Sequence, residues 1–490
     1  MCYKPITIFT VIFLTITNTG LLHPQHIEGS KSLNQYAFDL YNQSKVENEN
    51  LLLSPLSTYY ALLMAYEGAS NKTKQEFENV LYIENSEYIP NKVLNTQKQQ
   101  SDSLYGLKVA NALWLGKAFH VDTTYRNSVY HKYGSEVHQI EFKNTVLAVS
   151  KINEWVTKNT NNRIQNIVNL PDLNANTKLV ISNAVYFKGE WLKAFKKSAT
   201  HKNVFFTDSI NQYRTDFMNK TEKLMYFENE AFHFVAKPYK QSNLSFGIIL
   251  PKDFFGLEAV ESQLNDKLFI ELLEDADTTN VRLSMPKIKL KSKLKLKSVL
   301  QKLGLETMFN QEADFSRINR NDSLHFSQVI HQTHLDLNEE YTEVAAATVA
   351  ITSIRGIPKR KDIVADHPFM FFIFDNHTRS ILFIGRFTKP QNGERVEEDE
   401  FSTDLVQRII NEIKPNKRTG WSYGTQPLTV IVDGKDLIAV DLNDIDFDDV
   451  EDIKSYKVEA IQLASKGYEG LIVITLKKGK TKKIKRKTIK

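Results

Sequence analysis

The sequence predicts an α+β fold, a large mixed β-sheet with helices packed around it. Three observations carry that expectation. Residues 176–187, 244–250 and 368–374 are nearly unbroken apolar runs, the first holding Leu179, Val180, Ile181, Ala184, Val185, Tyr186 and Phe187, and such runs mark strands buried on both faces. Ser54-Pro55-Leu56-Ser57 opens a helix, with a hydroxyl residue before proline in the first turn and the apolar series Tyr60, Leu63, Met64 behind it. Helical stretches come first and strand-rich stretches later, within one continuous unit. Apolar residues at 41% and charged residues at 25% supply a sizeable core without metals or cross-links.

The chain divides in five. Lys4 gives a positive start, Ile6 to Ile16 an apolar stretch too short to span a bilayer, and Thr17, Asn18, Thr19 and Gly20 follow, so residues 1–20 are expected to be a signal peptide. An uncleaved anchor is the other reading. No later segment is expected to cross a membrane, and the protein is expected to be secreted, or periplasmic or envelope-associated in a bacterium. Cys2, the only cysteine, lies in that leader, which excludes cysteine catalysis and thiolate metal sites from the mature chain. Residues 30–390 form the main domain. Residues 391–425 read as a linker, polar and acidic from Gln391 to Glu400, then a short amphipathic helix marked by Phe401, Leu405, Ile409 and Ile413. Residues 426–480 form a small α+β module, and residues 481–490 a basic tail.

Enzyme motifs are missing. There is no Gly-x-Ser-x-Gly elbow, phosphate-binding Walker loop or His-Glu-x-x-His helix. His325, His331 and His334 come nearest to a metal cluster, but in a strand His331 and His334 have opposite parity and face opposite sides. Packing or hydrogen bonding suits them better. A net charge of +5 does not point to nucleic acid.

The informative stretch is Glu339-Glu340-Tyr341-Thr342-Glu343-Val344-Ala345-Ala346-Ala347-Thr348, running on to Arg355-Gly356. Small side chains gather where a surface loop is normally bulky and polar. An exposed helix is one reading, since alanine is the best helix former. A loop that later slides between two strands is the other. In a strand Thr342, Val344, Ala346 and Thr348 would share the inward face, all uncharged, while Glu343 stays in solvent. That partition suits insertion.

At this point the residues resemble a known family, the serpins, over Ser32 to Pro390. Leu179-Val180-Ile181-Ser182-Asn183-Ala184-Val185-Tyr186-Phe187-Lys188-Gly189-Glu190-Trp191 is similar to the family's central strand and following turn. Ala313-Asp314-Phe315-Ser316 matches another segment. Asp366-His367-Pro368-Phe369-Met370-Phe371-Phe372-Ile373 and Ser380-Ile381-Leu382-Phe383-Ile384-Gly385-Arg386-Phe387 match the C-terminal strands. The resemblance implies a serpin fold with an exposed reactive loop, no catalytic residue and a monomer. It implies inhibition of a serine protease as a suicide substrate. Counting Glu339 as one, the seventeenth residue is Arg355, so the reactive bond is expected at Arg355–Gly356 and the target to be trypsin-like. Lys359, Arg360 and Lys361 are the rival sites. Ser54, Ser57, Asn183 and His331 match the polar cluster that governs sheet opening, and Trp191 the tryptophan where insertion begins. Tyr341 and Val344 replace the usual glycine and alanine, so a non-inhibitory serpin acting as carrier or chaperone is the second expectation.

Two basic features and the extension complete the reading. Lys287, Lys289, Lys291, Lys293, Lys295 and Lys297 alternate, and on one strand face they would suit a sulfated glycan; a solvated edge blunted by lysine is the other reading. The lysine tail, like that face, could meet a polyanion. No cofactor is required. Residues 427–479, with Val430-Ile431-Val432-Asp433-Gly434 and Gly470-Leu471-Ile472-Val473-Ile474, are similar to the plug domain of TonB-dependent receptors: strand, acidic loop 444–453, strand, short helix and strand.

Overall fold

The computed structural model describes residues 28–83, 107–208, 211–240, 242–339 and 360–395, and four strand segments at 429–432, 435–436, 450–457 and 470–476. The expected signal peptide, the amphipathic helix after residue 400 and the basic tail lie outside the described residues.

Helix α1 (Glu28–Ser44) and helix α2 (Pro55–Gly68) run through the core. Ser54 caps α2 by accepting from the Ser57 N–H, and Pro55 occupies the first turn, where its missing donor costs nothing. Every residue from Pro55 to Tyr66 is buried, so α2 is a helix enclosed on all sides.

Around it lie two sheets. The larger has ten strands and includes three of the phenylalanine-rich segments, β8 (Leu244–Pro251), β13 (Phe369–Asp375) and β14 (Ile381–Phe387), all fully buried. It also holds β1 (Leu51–Leu53), β5 (His201–Phe206), β6 (Gln212–Glu228), β7 (Phe232–Pro238), β9 (Asp277–Pro286) and β12 (Lys361–Val364). The other sheet runs in the order β10 (Ile288–Lys295), β11 (Phe326–Leu337), β4 (Leu179–Phe187), β2 (Lys108–Gly116), β3 (Glu136–Ile140). Its inner face packs on α2. Its outer face carries a second, smaller core, where Ala148, Ile152 and Val156 of a helix at Thr145–Asn159 cover Ala112, Trp114, Val180, Ala184 and Ile330.

The apolar run at 176–187 is therefore a strand from Leu179, buried on both faces as expected. Its pairing is unusual. β4 and β11 are parallel neighbours, from Phe326 opposite Leu179 to Leu335 opposite Phe187, while β10/β11 and β2/β4 are antiparallel.

Three expectations need correction. Only Lys289, Lys291, Lys293 and Lys295 lie on β10. Lys287 precedes it, after Pro286 ends β9, and Lys297 opens a helix at Lys297–Leu303 with its ammonium over the Phe309 ring. Residues 394–395, assigned to a linker, form strand β15, antiparallel to Tyr213 and Arg214 of β6. The extension has its own four-stranded sheet, β17 (Lys435–Asp436), β16 (Thr429–Val432), β19 (Gly470–Leu476), β18 (Val450–Lys457), and the end of the expected acidic loop belongs to β18.

Among the described residues no helix is long and apolar enough to cross a membrane, and no group of three acidic, histidine or cysteine side chains is placed to hold a metal.

Candidate functional site

The seam between β11 and β4 gathers four of the residues singled out in the sequence. His331 and Asn183 are register partners across it, on the inner face. The Ser54 N–H donates to His331 Nε2 at 3.1 Å. Nε2 is thus the acceptor and Nδ1 carries the proton, which it donates to Asn183 Oδ1. The Asn183 amide reaches the Ser57 carbonyl at 3.1 Å and Ser57 Oγ at 2.5 Å. The Ser54 hydroxyl donates to the Leu382 carbonyl at 2.9 Å. The N-terminus of α2 is in this way bonded to both strands of the seam. Burial pushes the His331 pKa down to about 3, so the ring is neutral near pH 7.

Sequence reasoning missed one member of this cluster. Asn111, on β2 opposite Asn183, also bonds the Asn183 amide and accepts from Ser57 Oγ. On the outer face a second contact spans the seam: the His334 and Tyr186 rings meet edge to face at 5.3 Å, with the Arg163 guanidinium over Tyr186. His331 and His334 do face opposite sides of the sheet.

At the end of the seam Trp191 is buried, stacked on Tyr239 at 4.7 Å, and its indole N–H donates to the Asn338 carbonyl at 2.9 Å. Gly189 makes room for this stack, since a Cβ there would lie 2.5 Å from the Tyr239 ring. Asn338 and Glu339 continue the chain from β11. The Glu339 carboxylate accepts from Thr200 Oγ1 at 2.7 Å and meets Lys287 Nζ at 3.0 Å, and Lys287 also reaches Asp216 at 3.4 Å. Burial pushes the Glu339 carboxyl up, but the Thr200 bond, its own backbone N–H and Lys287 outweigh it and hold it below the ordinary range. Lys287 and Thr200 were not legible as partners of Glu339: their contacts with it are made across 52 and 139 positions of chain.

Glu340, Tyr341, Thr342, Glu343, Val344, Ala345, Ala346, Ala347, Thr348, Arg355, Gly356 and Lys359 lie outside the described residues. The described residues on either side of that stretch are Glu339 and Arg360. β12 follows at once, and its Lys361 to Val364 pair parallel with Val281 to Ser284 of β9. Arg360, a rival site, chelates Asp362 with its guanidinium, at 2.8 and 3.3 Å.

A family model described as Serpin (serine protease inhibitor) matches residues 31–390. The chain belongs to the serpin family. An uncharacterized serpin-like protein of Methanosarcina mazei is 35% identical over 371 residues, covering 73% of this chain and 86% of its own. The leukocyte elastase inhibitor of Xenopus laevis is 33% identical over 374 residues, covering 74% and 99%. Among solved structures, the thermophilic serpin tengpin in its native state aligns with a TM-score of 0.66 at 30% identity, covering 74% of this chain and 94% of its own. Uncleaved ovalbumin aligns at 0.68 with 26% identity, covering 74% and 100%. The serpin fold thus accounts for the two larger sheets and their helices.

Proposed function

We propose that this serpin is a secreted, monomeric suicide substrate for a trypsin-like serine protease, cut between Arg355 and Gly356. One observation carries the reading: the β11/β4 seam inside the five-stranded sheet is a parallel pair, and the segment bearing Arg355 follows directly from one of its strands. A chain turning back after Glu339 would run antiparallel to both β11 and β4. It would replace one parallel ladder by two antiparallel ones, which pair slightly better per residue. While Lys361 holds the far end on β9, the loop is tied at both ends. Cutting after Arg355 frees it.

The protease supplies the chemistry. Its serine oxygen bonds to the Arg355 carbonyl carbon, and Gly356 leaves as the amine with the proton delivered by the protease histidine. Insertion of seventeen residues at about 3.3 Å each then carries the esterified protease roughly 55 Å. Distortion of its active site stops water from releasing the ester. Ser54, Ser57, Asn183 and His331 act as the lock on the seam, and Trp191 and Glu339 mark where it opens. No cofactor and no catalytic residue of the serpin's own is required. Tyr341, where backbone freedom is needed, favours a second reading in which insertion lags and the chain is cut as an ordinary substrate, consistent with a carrier or chaperone role.

Mixing the full chain with trypsin tests this. A complex that survives heat and detergent, with a released fragment whose mass begins at Gly356, supports trapping. Complete cleavage without a complex refutes it and leaves the second reading.

A further inference from the structure

A pocket of about 320 Å³ shares no residue with the seam cluster or with the Glu339 contact. Its walls come from residues 47–48 soon after α1, 207–208 just after β5, 255–258, and the neighbouring ends of β13 and β14. Arg386 of β14 is the one cation among the lining residues, and its side chain is 3% exposed. Its partners do not use up its donors. Nε faces Glu261 Oε1 at 3.4 Å without a hydrogen bond, and Nη1 reaches the Val46 carbonyl at a long 3.5 Å. No further partner is present among the described residues. Glu261 is fully buried and also bonded by Tyr41 and Lys45, which hold it where it is. Buried donors left in that state call for an acceptor.

The rest of the lining is acidic and apolar. Glu47 and Glu258 are exposed and make no ion pair among the described residues. Asp208 is oriented by Asn211, whose backbone N–H and side-chain amide reach its two oxygens at 2.7 and 2.9 Å. Phe255, Leu257 and Pro368 supply apolar surface. The charges are thus sorted by depth, with the guanidinium within and carboxylates toward solvent. A simple anion would meet Arg386 but be repelled by three carboxylates, and a simple cation would leave the guanidinium unanswered. A ligand with a carboxylate and an ammonium on one carbon answers both, and its side chain has the apolar wall to rest on.

We propose that this pocket binds a free α-amino acid with an apolar side chain, its carboxylate on Arg386 and its ammonium among Glu47, Asp208 and Glu258. Titration calorimetry of the full chain with L-leucine, leucinamide and isocaproate tests this, since leucinamide lacks the carboxylate and isocaproate lacks the amine. Saturable heat with leucine, and binding at least about tenfold weaker with either analogue, is the expected result. Replacing Arg386 would strand the buried Glu261 carboxylate, so the rim is varied instead. Glu47→Gln/Glu258→Gln changes two exposed side chains and should weaken leucine binding at least about fivefold. No saturable heat with leucine overturns the site. So does a smaller loss with either analogue, or a smaller loss in the rim variant. None of these outcomes bears on protease trapping, which needs no ligand in this pocket.

Discussion

Replacing Glu339 by glutamine isolates the charge that holds the start of the loop. The glutamine keeps an acceptor for Thr200 but loses the attraction to Lys287 at 3.0 Å. The Glu339 side chain is 6% exposed and that of Lys287 37%. Fully exposed pairs contribute about 0–1 kcal/mol, and breaking a buried one costs about 3–5 kcal/mol. A pair with one partner in solvent falls between, and Lys287 retains Asp216, so a loss of about 1–2 kcal/mol is expected. The pH dependence has a fixed sign. The Glu339 carboxyl is held below its ordinary 4.5, so its contribution is full above that value and is lost as pH falls through the folded pKa. Lys287 is raised above 10.5 by the same partners, overcoming its own burial, so the contribution also fades as pH rises through that higher value. Urea unfolding of both proteins from pH 3 to pH 8 reads this directly, since an uncharged denaturant leaves the pair unscreened. The two stability curves should run parallel from pH 6 to 8 and converge in acid. A constant gap down to pH 3, or no gap at pH 7, refutes the reasoning.

Other expectations follow from the same geometry. His331 is neutral when folded, with its pKa near 3 against 6.5 unfolded, so below pH 6.5 the unfolded chain takes up the proton first. Stability should then fall by about 1.4 kcal/mol per pH unit from this group, and His331→Ala should abolish that share of the slope in unfolding measured between pH 4 and 7. The same variant strands Asn183 Oδ1 and the Ser54 N–H and should cost about 2–4 kcal/mol of stability, read from denaturant unfolding. Trp191→Phe removes the donor to Asn338 and should cost about 1–2 kcal/mol by the same measure. Thr342→Arg places a charge on the face expected to turn inward; with trypsin it should give cleaved chain and no stable complex on a denaturing gel. Arg355→Leu should slow trypsin cleavage about a hundredfold or more, and a cut retained at Arg360 would reassign the reactive bond.

Much of the fold was legible because burial on both faces writes itself into the sequence as an unbroken apolar run. Leu179 to Phe187 is the best case, and the Ser54-Pro55 start of α2 is another, since a cap and a first-turn proline are local signals. The polar cluster on the seam was less legible. His331 and Asn183 are 148 positions apart, and no periodicity connects them; family resemblance brought them forward, and register between β11 and β4 makes them neighbours. Asn111 escaped because an asparagine within a buried strand has no local mark of its partner. The lysine series misled for a physical reason. Its alternation starts at Lys287, just after Pro286 ends β9, and runs on to a helix start at Lys297, so one pattern covers three environments, and Lys287 pairs with Glu339 rather than lying on the strand face. Residues 391–395 read as linker because their composition is polar, yet two of them complete a ladder that only tertiary structure offers.

The attachment of α2 to both sides of the seam has a consequence for how single molecules behave. Neighbouring strands sit about 4.8 Å apart, so admitting one more strand carries His331 away from Asn183 by well over the reach of any hydrogen bond. Partial separation would leave buried donors and acceptors facing nothing, which is the costliest arrangement open to them. On the insertion proposed above, opening at this cluster should therefore be all or none, and copies of the protein sampled while it proceeds should sort into two populations with few between them.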